Sequence, residues 1–568
     1  MNKSILILLP LIFLTLNSFV PNNKIANVTW GAPIKVPAGK FIKTYDFGEG
    51  RLVHIWKDGL ELNTLVTDDK LNEKARGNVE IEHMARRGKY YYEKIFRLGD
   101  EIYVLSKIKD KKVEKFFYYV QRIDPENTSK ISQPILISQM TFLKSARKEV
   151  EDIQVSPDYT RLYVGHNNAT ADRSEFWYEL KILDTELEEV YTDRVELESS
   201  EALNVVDFKF NKNGDAAVIA RRSDSKDARE KGKPFVYYTA AVLRNEELFR
   251  YRLDLDEHHI ADIQVTFAPD NGLILSGFYS SRSEFYVNGI FMVREDIDHE
   301  ELDEIKYHEF TTEEITRFQS ERKEKKASKK EDKGKEIQFY NYDIRNIEAT
   351  SEGVYIIAEQ FYVKQSSSSS TAMNRSPTGH MTSSSSSKTT YTFNFMDVMV
   401  AKLNFDSELE WISRVPKHNE IKTSTSGGFA SPTSNPFSFN NNSGTVSPYL
   451  LQYWKRTGYI EKACPYSSYN YTIKDDQIYL LYNDHLKNHT EYNPRKIIKS
   501  KKGGDQAVTC LAKINSEGLL SRSVLYNVKE EATFTQVRRC VPLDEEAGFI
   551  ILGQKKKTIK LGKCAAIE

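Results

Sequence analysis

The sequence predicts an all-β chain, a β-propeller of about eight four-stranded antiparallel blades with seven as the alternative count, on three observations. A strand–turn–strand unit recurs along most of its 568 residues. Each copy is followed by a second strand pair with its own acidic or glycine turn, so the repeat is a four-stranded meander of roughly 50–60 residues. Aromatic residues reach 12%, against 27 Gly and 17 Pro, which excludes disordered and collagen-like chains. A solenoid would repeat at shorter intervals, and a sandwich would not repeat at this length.

The chain opens Met1-Asn2-Lys3, runs apolar from Ile5 to Leu16 and turns polar at Asn17-Ser18. A positive start, a short apolar run and a small polar residue make a secretory signal peptide over 1–20, with cleavage near Ser18 and no later than Ala26. The run is too short for a membrane span, which needs about 20 apolar residues. The mature chain, 27–568, is expected to be one propeller domain without a transmembrane segment. A strand at 30–36 (WGAPIKV) is expected to close the ring by completing the last blade, which removes a free sheet edge.

The repeat is clearest at 152–165 (DIQVSPDYTRLYVG), 207–220 (DFKFNKNGDAAVIA) and 262–277 (DIQVTFAPDNGLILSG). It returns at 346–359, 471–482 and 539–553, and more loosely at 44–55 and 95–105. The turns carry Pro, Asp, Asn and Gly, which suit hairpin dihedrals. The second strands are rich in Val, Ile, Leu and Tyr, as buried strands should be.

Three insertions break the period. Residues 311–336 are charged and helical in composition, with Thr311 or Thr312 as the cap and Glu313 and Glu314 in the first turn. Residues 365–390 hold two runs of five serines and are expected to form a flexible loop without a core. Residues 416–466, rich in Ser, Asn, Gly and Pro, are expected to be irregular. With strands lettered a to d, the a–b and c–d turns share one end of a blade, and the b–c loops and d–a connectors share the other. All three insertions fall at the b–c/d–a end, and long loops on a rigid scaffold are where binding concentrates.

Candidate ligand residues on that face are His166, Asn167, Glu359, Gln360, Tyr362, Asn483, Asp484, His485, Lys487, Lys555 and Lys556. Lysines cluster there although the formal net charge is −1, which excludes an overall basic chain that coats nucleic acid. A local basic patch would attract an anionic polysaccharide or an acidic envelope protein.

No nucleophile elbow, zinc-protease helix, P-loop or dinucleotide fingerprint occurs. No catalytic residue, metal ligand or cofactor is therefore assigned. His258-His259 reads as a polar connector and the acidic run at 296–301 as a c–d turn. Cys464, Cys510, Cys540 and Cys564 have no zinc spacing, and their pairing stays open among three possibilities. Asp152 and Asp207, with Gln264 read in the same position, line the channel, where two carboxylates could form the acid/base pair of a glycosidase.

The strings IIAEQFYV (356–363), DVMVAKLNFDSELEWISRVPK (397–417), YNYDIRNI (340–347) and YNDHLKN (482–488), with the Lys-rich helical insertion, carry one further signal. In these the chain resembles uncharacterised exported β-propeller proteins of Gram-negative bacteria, which have no established activity. The resemblance implies the fold and export, and transfers no catalytic residue. The sequence thus leaves a secreted or periplasmic monomer that binds an envelope protein or anionic glycan through its b–c/d–a face. The alternative is a glycan-active hydrolase or lyase using channel carboxylates.

Overall fold

The computed structural model describes residues 25–567, except 49, 82–88, 125–130, 142–150, 198–203, 224–235, 282–285, 315–338, 376–380, 427–445, 447–450, 455–458, 544–546 and a few single or paired positions. Among the described residues eight sheets of four or more strands follow one another along the chain as blades, beside one two-stranded sheet of Tyr286–Val287 with Phe339–Tyr340, so the propeller has eight blades. The third is typical: Glu151–Val155, Leu162–Ala169, Phe176–Leu183 and Glu189–Leu197 pair in sequence order as strands a to d.

A local rule in the sequence makes the tight turns. Asp184 Oδ1 accepts the amides of Glu186 and Glu188, and Leu187 takes a left-handed conformation at φ 66°. Asp68 with Leu71, Asn211 with Gly214 and Asn515 with Gly518 repeat the arrangement. An Asx side chain thus satisfies two amides that the turn leaves unpaired. In the sixth blade this residue is Asn404, whose Oδ1 accepts the Glu408 amide, rather than the neighbouring Asp406.

Packing closes the ring. A separate apolar core lies between each blade and the next. Ile55, Val53 and Ile102 join blades one and two, and Phe208, Tyr163 and Val218 join three and four. The last interface joins Ile550, Leu552 and Leu561 of blade eight to Phe41, Trp56 and Leu65 of blade one. Ala26–Trp30 pairs along Thr558–Ala566, from Ala26 opposite Ala566 to Trp30 opposite Gly562. Closure by the N-terminal strand therefore holds, but its main pairing starts upstream of the expected 30–36, within which Trp30, Gly31 and the short strand Ile34–Lys35 continue the contact. Gly562 permits it, because a Cβ there would meet the Trp30 ring at 2.7 Å.

Where they are described, the second and third insertions hold more strand than their composition predicts. Gly353–Arg375 and Met381–Leu403, strands b and c of blade six, continue past the blade as a hairpin paired through Arg375 and Met381. The serine segment 365–390 is thus part of a β-arm and not the expected flexible loop. Serine side chains carry little apolar surface, and they leave the backbone free to continue a register set by the flanking apolar strands. The start of 416–466 is likewise a strand, Asn419–Ser426, on the other edge of the arm, and a short helix, Tyr459–Ala463, lies near its end. Thr311 and Glu314 form a reciprocal capping box, Glu314 N–H to Thr311 Oγ1 and Thr311 N–H to Glu314 Oε2. The rest of the charged insertion lies outside the described residues. Among the described residues no helix is long and apolar enough to cross a membrane.

Two stability predictions follow from this architecture. A chain beginning at Gly31 should melt well below one beginning at Ile25, because it loses the strand that covers the C-terminal edge and the fully buried Ala26. Joining Gln365 directly to Lys388 should leave the melting temperature nearly unchanged, since beyond Ser366–Ser368, which face Lys388–Thr390, the removed ribbon pairs only with itself and an isolated hairpin adds little. Circular dichroism melts of the two variants check both.

Candidate functional site

The meander places the b–c hairpins and d–a connectors at one end, and the arm rises there from blade six. Its strands lie in the order b, c, Asn419–Ser426, with Ser500–Lys501 added in parallel at the edge. Side chains alternate across such a sheet. One side carries Val363, Phe393 and Phe395, which pack with Trp454, Ile460 and Cys464 into a ninth core, separate from the eight between blades. The other side carries Tyr362, Lys364, Thr392, Asn394, Glu420 and Lys422. Insertions two and three therefore fold onto each other as one amphipathic platform.

A buried ionic knot anchors the platform to the ring. Glu359, at the top of strand b, is fully buried. It accepts from Lys417 Nζ at 2.5 Å and Ser468 Oγ at 2.5 Å, and lies 3.3 Å from the Arg345 guanidinium. Burial alone would push its carboxyl up, but Lys417, Arg345 and Arg538 together hold it below the usual range. Lys417 is itself fully buried. Beside it, Arg522 donates to the carbonyls of Pro416 and Asn488, and Asn419 Nδ2 donates to the Asn483 carbonyl. His418 stays neutral, its imidazole pushed down to about 4 by burial and then by Lys499, Lys417 and Lys364.

Several sequence candidates prove to be structural. His166 is buried between blades two and three, 2.7 Å from Ser138 Oγ and stacked on Tyr118, because strand b runs on through Ala169 where a loop was expected. Asn483 is buried, giving Nδ2 to the carbonyls of Tyr466 and Thr535 and accepting from Thr509. Asp484 is buried and holds Asn488 Nδ2 at 2.8 Å. Glu359, likewise, is a tie between blades and not an exposed contact. Gln360 pairs with Tyr342 of strand a, opposite a bulge at Met396 and Asp397 of strand c, and is partly buried. Tyr362, His485 and Lys487 do reach the surface of the expected face. His485 Nδ1 accepts the Lys487 amide, and Lys487 pairs with Glu491 at 3.5 Å. Asn167 and Lys555 occupy strand positions, but their side chains, like all of Lys556, lie outside the described residues.

The channel reading also needs correction. Asp262, not Gln264, is equivalent to Asp207, since each follows the bulge of its innermost strand. Asp207 Oδ2 accepts the Val265 amide of the next blade at 2.9 Å, and Asp262 Oδ2 accepts the Ile344 amide at 2.7 Å. Gln264 is equivalent to Lys209; it donates to the Ile344 carbonyl while Lys209 Nζ reaches Asn346 Oδ1 at 2.6 Å. Tyr471 donates to Glu348. These groups bind one another across blades four to seven. The side chain of Asp152 is not among those described.

All four cysteines are free and buried. Cys510 Sγ and Asp484 Oδ2 both approach His489 Nε2, at 3.1 and 3.2 Å. One nitrogen cannot both take the thiol proton and be oriented by the carboxylate, so this is not a nucleophile–base–acid relay. Burial also pushes the Cys510 thiol well up. No group of three or more His, Cys, Asp or Glu among the described residues is placed to hold a metal.

Sequence reasoning missed Lys364, Lys388, Lys422, Thr390, Thr392 and Ser424, the polar side of the arm. The signal was present as period-two alternation of Val363, Tyr391, Phe393, Phe395 and Ile421 with polar residues.

Glu359→Gln should destabilise the fold by about 3–5 kcal/mol at neutral pH, because it leaves Lys417 buried without its counter-charge. A depressed carboxylate stabilises above its unfolded value of about 4.3 and loses that contribution as pH falls, so the gap from wild type should narrow in acid. Asp207 behaves oppositely. Burial pushes its carboxyl up to about 6, so its contribution is complete below the unfolded value near 4 and is lost as pH rises through 6. Asp207→Asn should therefore gain on wild type between acid and alkaline pH, as read from paired thermal melts.

No family model matches the chain, and no curated protein matches it. Solved structures give distant likenesses. An uncharacterized protein from Listeria monocytogenes aligns at 8% identity and a TM-score of 0.34, over 81% of this chain and 88% of that one. The β-propeller domain of the Trilobed protease from Pyrococcus furiosus aligns at 9% and 0.29, over 69% and 93%. An endo-arabinase from Bacteroides thetaiotaomicron aligns at 10% and 0.23, over 45% and 94%. No activity is carried over from likenesses this remote, and the propeller assignment stands on the eight sheets themselves.

Proposed function

We propose that this chain is an exported propeller that works as a binding module through its b–c/d–a face. The observation that carries the reading is the platform: the second and third insertions pair along Lys388–Thr390 and Ser424–Ser426, and the strands flanking the second pack Phe361, Val363, Phe393 and Phe395 against Trp454, Ile460 and Cys464 of the third. A connector needs no second core. A scaffold that presents a surface does, because only a packed sheet holds side chains in a fixed array. The opposite face, with its short Asx-stabilised turns, offers no comparable surface among the described residues. The ligand is an envelope component, and the leader at 1–20 is the export signal. The enzymatic alternative loses support at Asp207 and Asp262, whose carboxylates are engaged by backbone amides of the neighbouring blades.

Site-specific photo-crosslinking in the producing cell tests this. Crosslinkers at Ser366 and Lys487 on the platform face should yield adducts, while those at Glu186 and Glu517 in opposite-face turns should not. Adducts from the opposite turns alone would overturn the assignment of the face. Release of sugars from a glycan panel by the purified protein would overturn binding as its role.

A further inference from the structure

We infer that the polar side of the arm is a binding surface for a linear anionic polysaccharide; this rests on the face assignment above and names its ligand. Residues paired directly across antiparallel strands share a side of the sheet. Tyr362, Asn394 and Glu420 form one such row, Lys364, Thr392 and Lys422 the next, and Ser366, Thr390 and Ser424 the third. Lys388 stands beyond them, between Ser368 and Ser426. Contacts confirm the shared side. Thr390 Oγ1 lies 3.1 Å from Ser424 Oγ, Lys364 Nζ sits 5.5 Å from the Tyr362 ring centroid, and Lys499 Nζ donates to Glu420 Oε2 at 2.6 Å.

The surface is open and positively charged. Lys364, Ser366, Ser368, Lys388, Lys422 and Ser424 are exposed. Glu420 is the single carboxylate on these rows, and it already faces both Lys499 and Lys422. Among the described residues neither Lys364 nor Lys388 has a carboxylate within ion-pair distance.

The spacing of the cations selects the ligand. Strands lie about 4.8 Å apart and rise about 3.4 Å per residue. Lys364 and Lys422, two strands apart, are therefore separated by roughly 10 Å, and Lys388 stands roughly 13 Å farther along the arm. A single phosphate or sulfate cannot meet charges so far apart, whereas an extended chain with acidic groups at intervals can. The groups between the lysines are the hydroxyls of Thr392, Ser366, Thr390 and Ser424, suited to sugar hydroxyls. A protein interface needs a desolvated apolar or aromatic centre, and a single-stranded nucleic acid needs stacking platforms. The one aromatic residue on these rows, Tyr362, has Lys364 over its ring.

Binding of the full mature chain to polygalacturonate, with dextran and single-stranded DNA as comparators, tests the proposal by biolayer interferometry. Polygalacturonate should bind, dextran should not, and raised salt should weaken the interaction. Lys364→Glu combined with Lys422→Glu should weaken it at least about tenfold. Both sites are exposed, so melting should be unchanged, and Lys70→Glu on the opposite face should have no effect. Unchanged binding in the arm variant with loss in Lys487→Glu would overturn the arm site while leaving the face assignment intact. Equal binding of DNA would overturn the glycan assignment in favour of a general polyanion surface. Absence of polygalacturonate binding, with crosslinks still formed from Ser366, would overturn the ligand class but not the face.

Discussion

Every blade of this ring is a sheet with two apolar faces, so each must be covered by a neighbour on both sides, and the eighth must meet the first. That closure is the constraint on which the rest depends. It explains why the N-terminal strand Ala26–Trp30 pairs with the C-terminal strand of blade eight instead of standing free. It also explains why the cores occur one per interface, with Leu561 and Trp56 sealing the last. A strand lost at the seam would expose both an edge and an apolar face.

Apolar packing sets the blades side by side, but polar contacts between innermost strands fix their offset. Residues at or near the inner-strand bulge reach the next blade's backbone: Lys94 to the Ile153 carbonyl, Asp207 to the Val265 amide, Asp262 to the Ile344 amide. Asn470 spans to the Cys540 carbonyl in the same way. Charged groups in a propeller channel invite a catalytic reading. Here their oxygens satisfy backbone amides, and the elevated carboxyl of Asp207 follows from its burial between blades.

The platform on the b–c/d–a face draws on the same physics. Its outer rows are polar because its inner rows are committed to the Trp454 core, and its base is rigid because Glu359 and Lys417 cannot separate without stranding a buried charge. A fixed sheet can hold lysines at set distances, which a flexible serine loop could not. Positive charge on the open side and apolar residues on the closed side are therefore two consequences of one strand alternation.

By itself the sequence determined the repeat, the order of the blades, the Asx turns and the end on which the insertions fall, and left the blade count at eight or seven. Those depend on local periodicity and turn chemistry, which neighbouring residues encode. Only the tertiary structure decided which polar residues were available. His166, Glu359, Asn483 and Asp484 sit beside loops in sequence, yet strands that run farther than their composition predicts bury them between blades. The serine runs have no apolar pattern of their own, so their extension into a hairpin came from the register set by Phe393 and Phe395. Lys364, Thr392 and Lys422 are distant in sequence, and only strand pairing places them in one row.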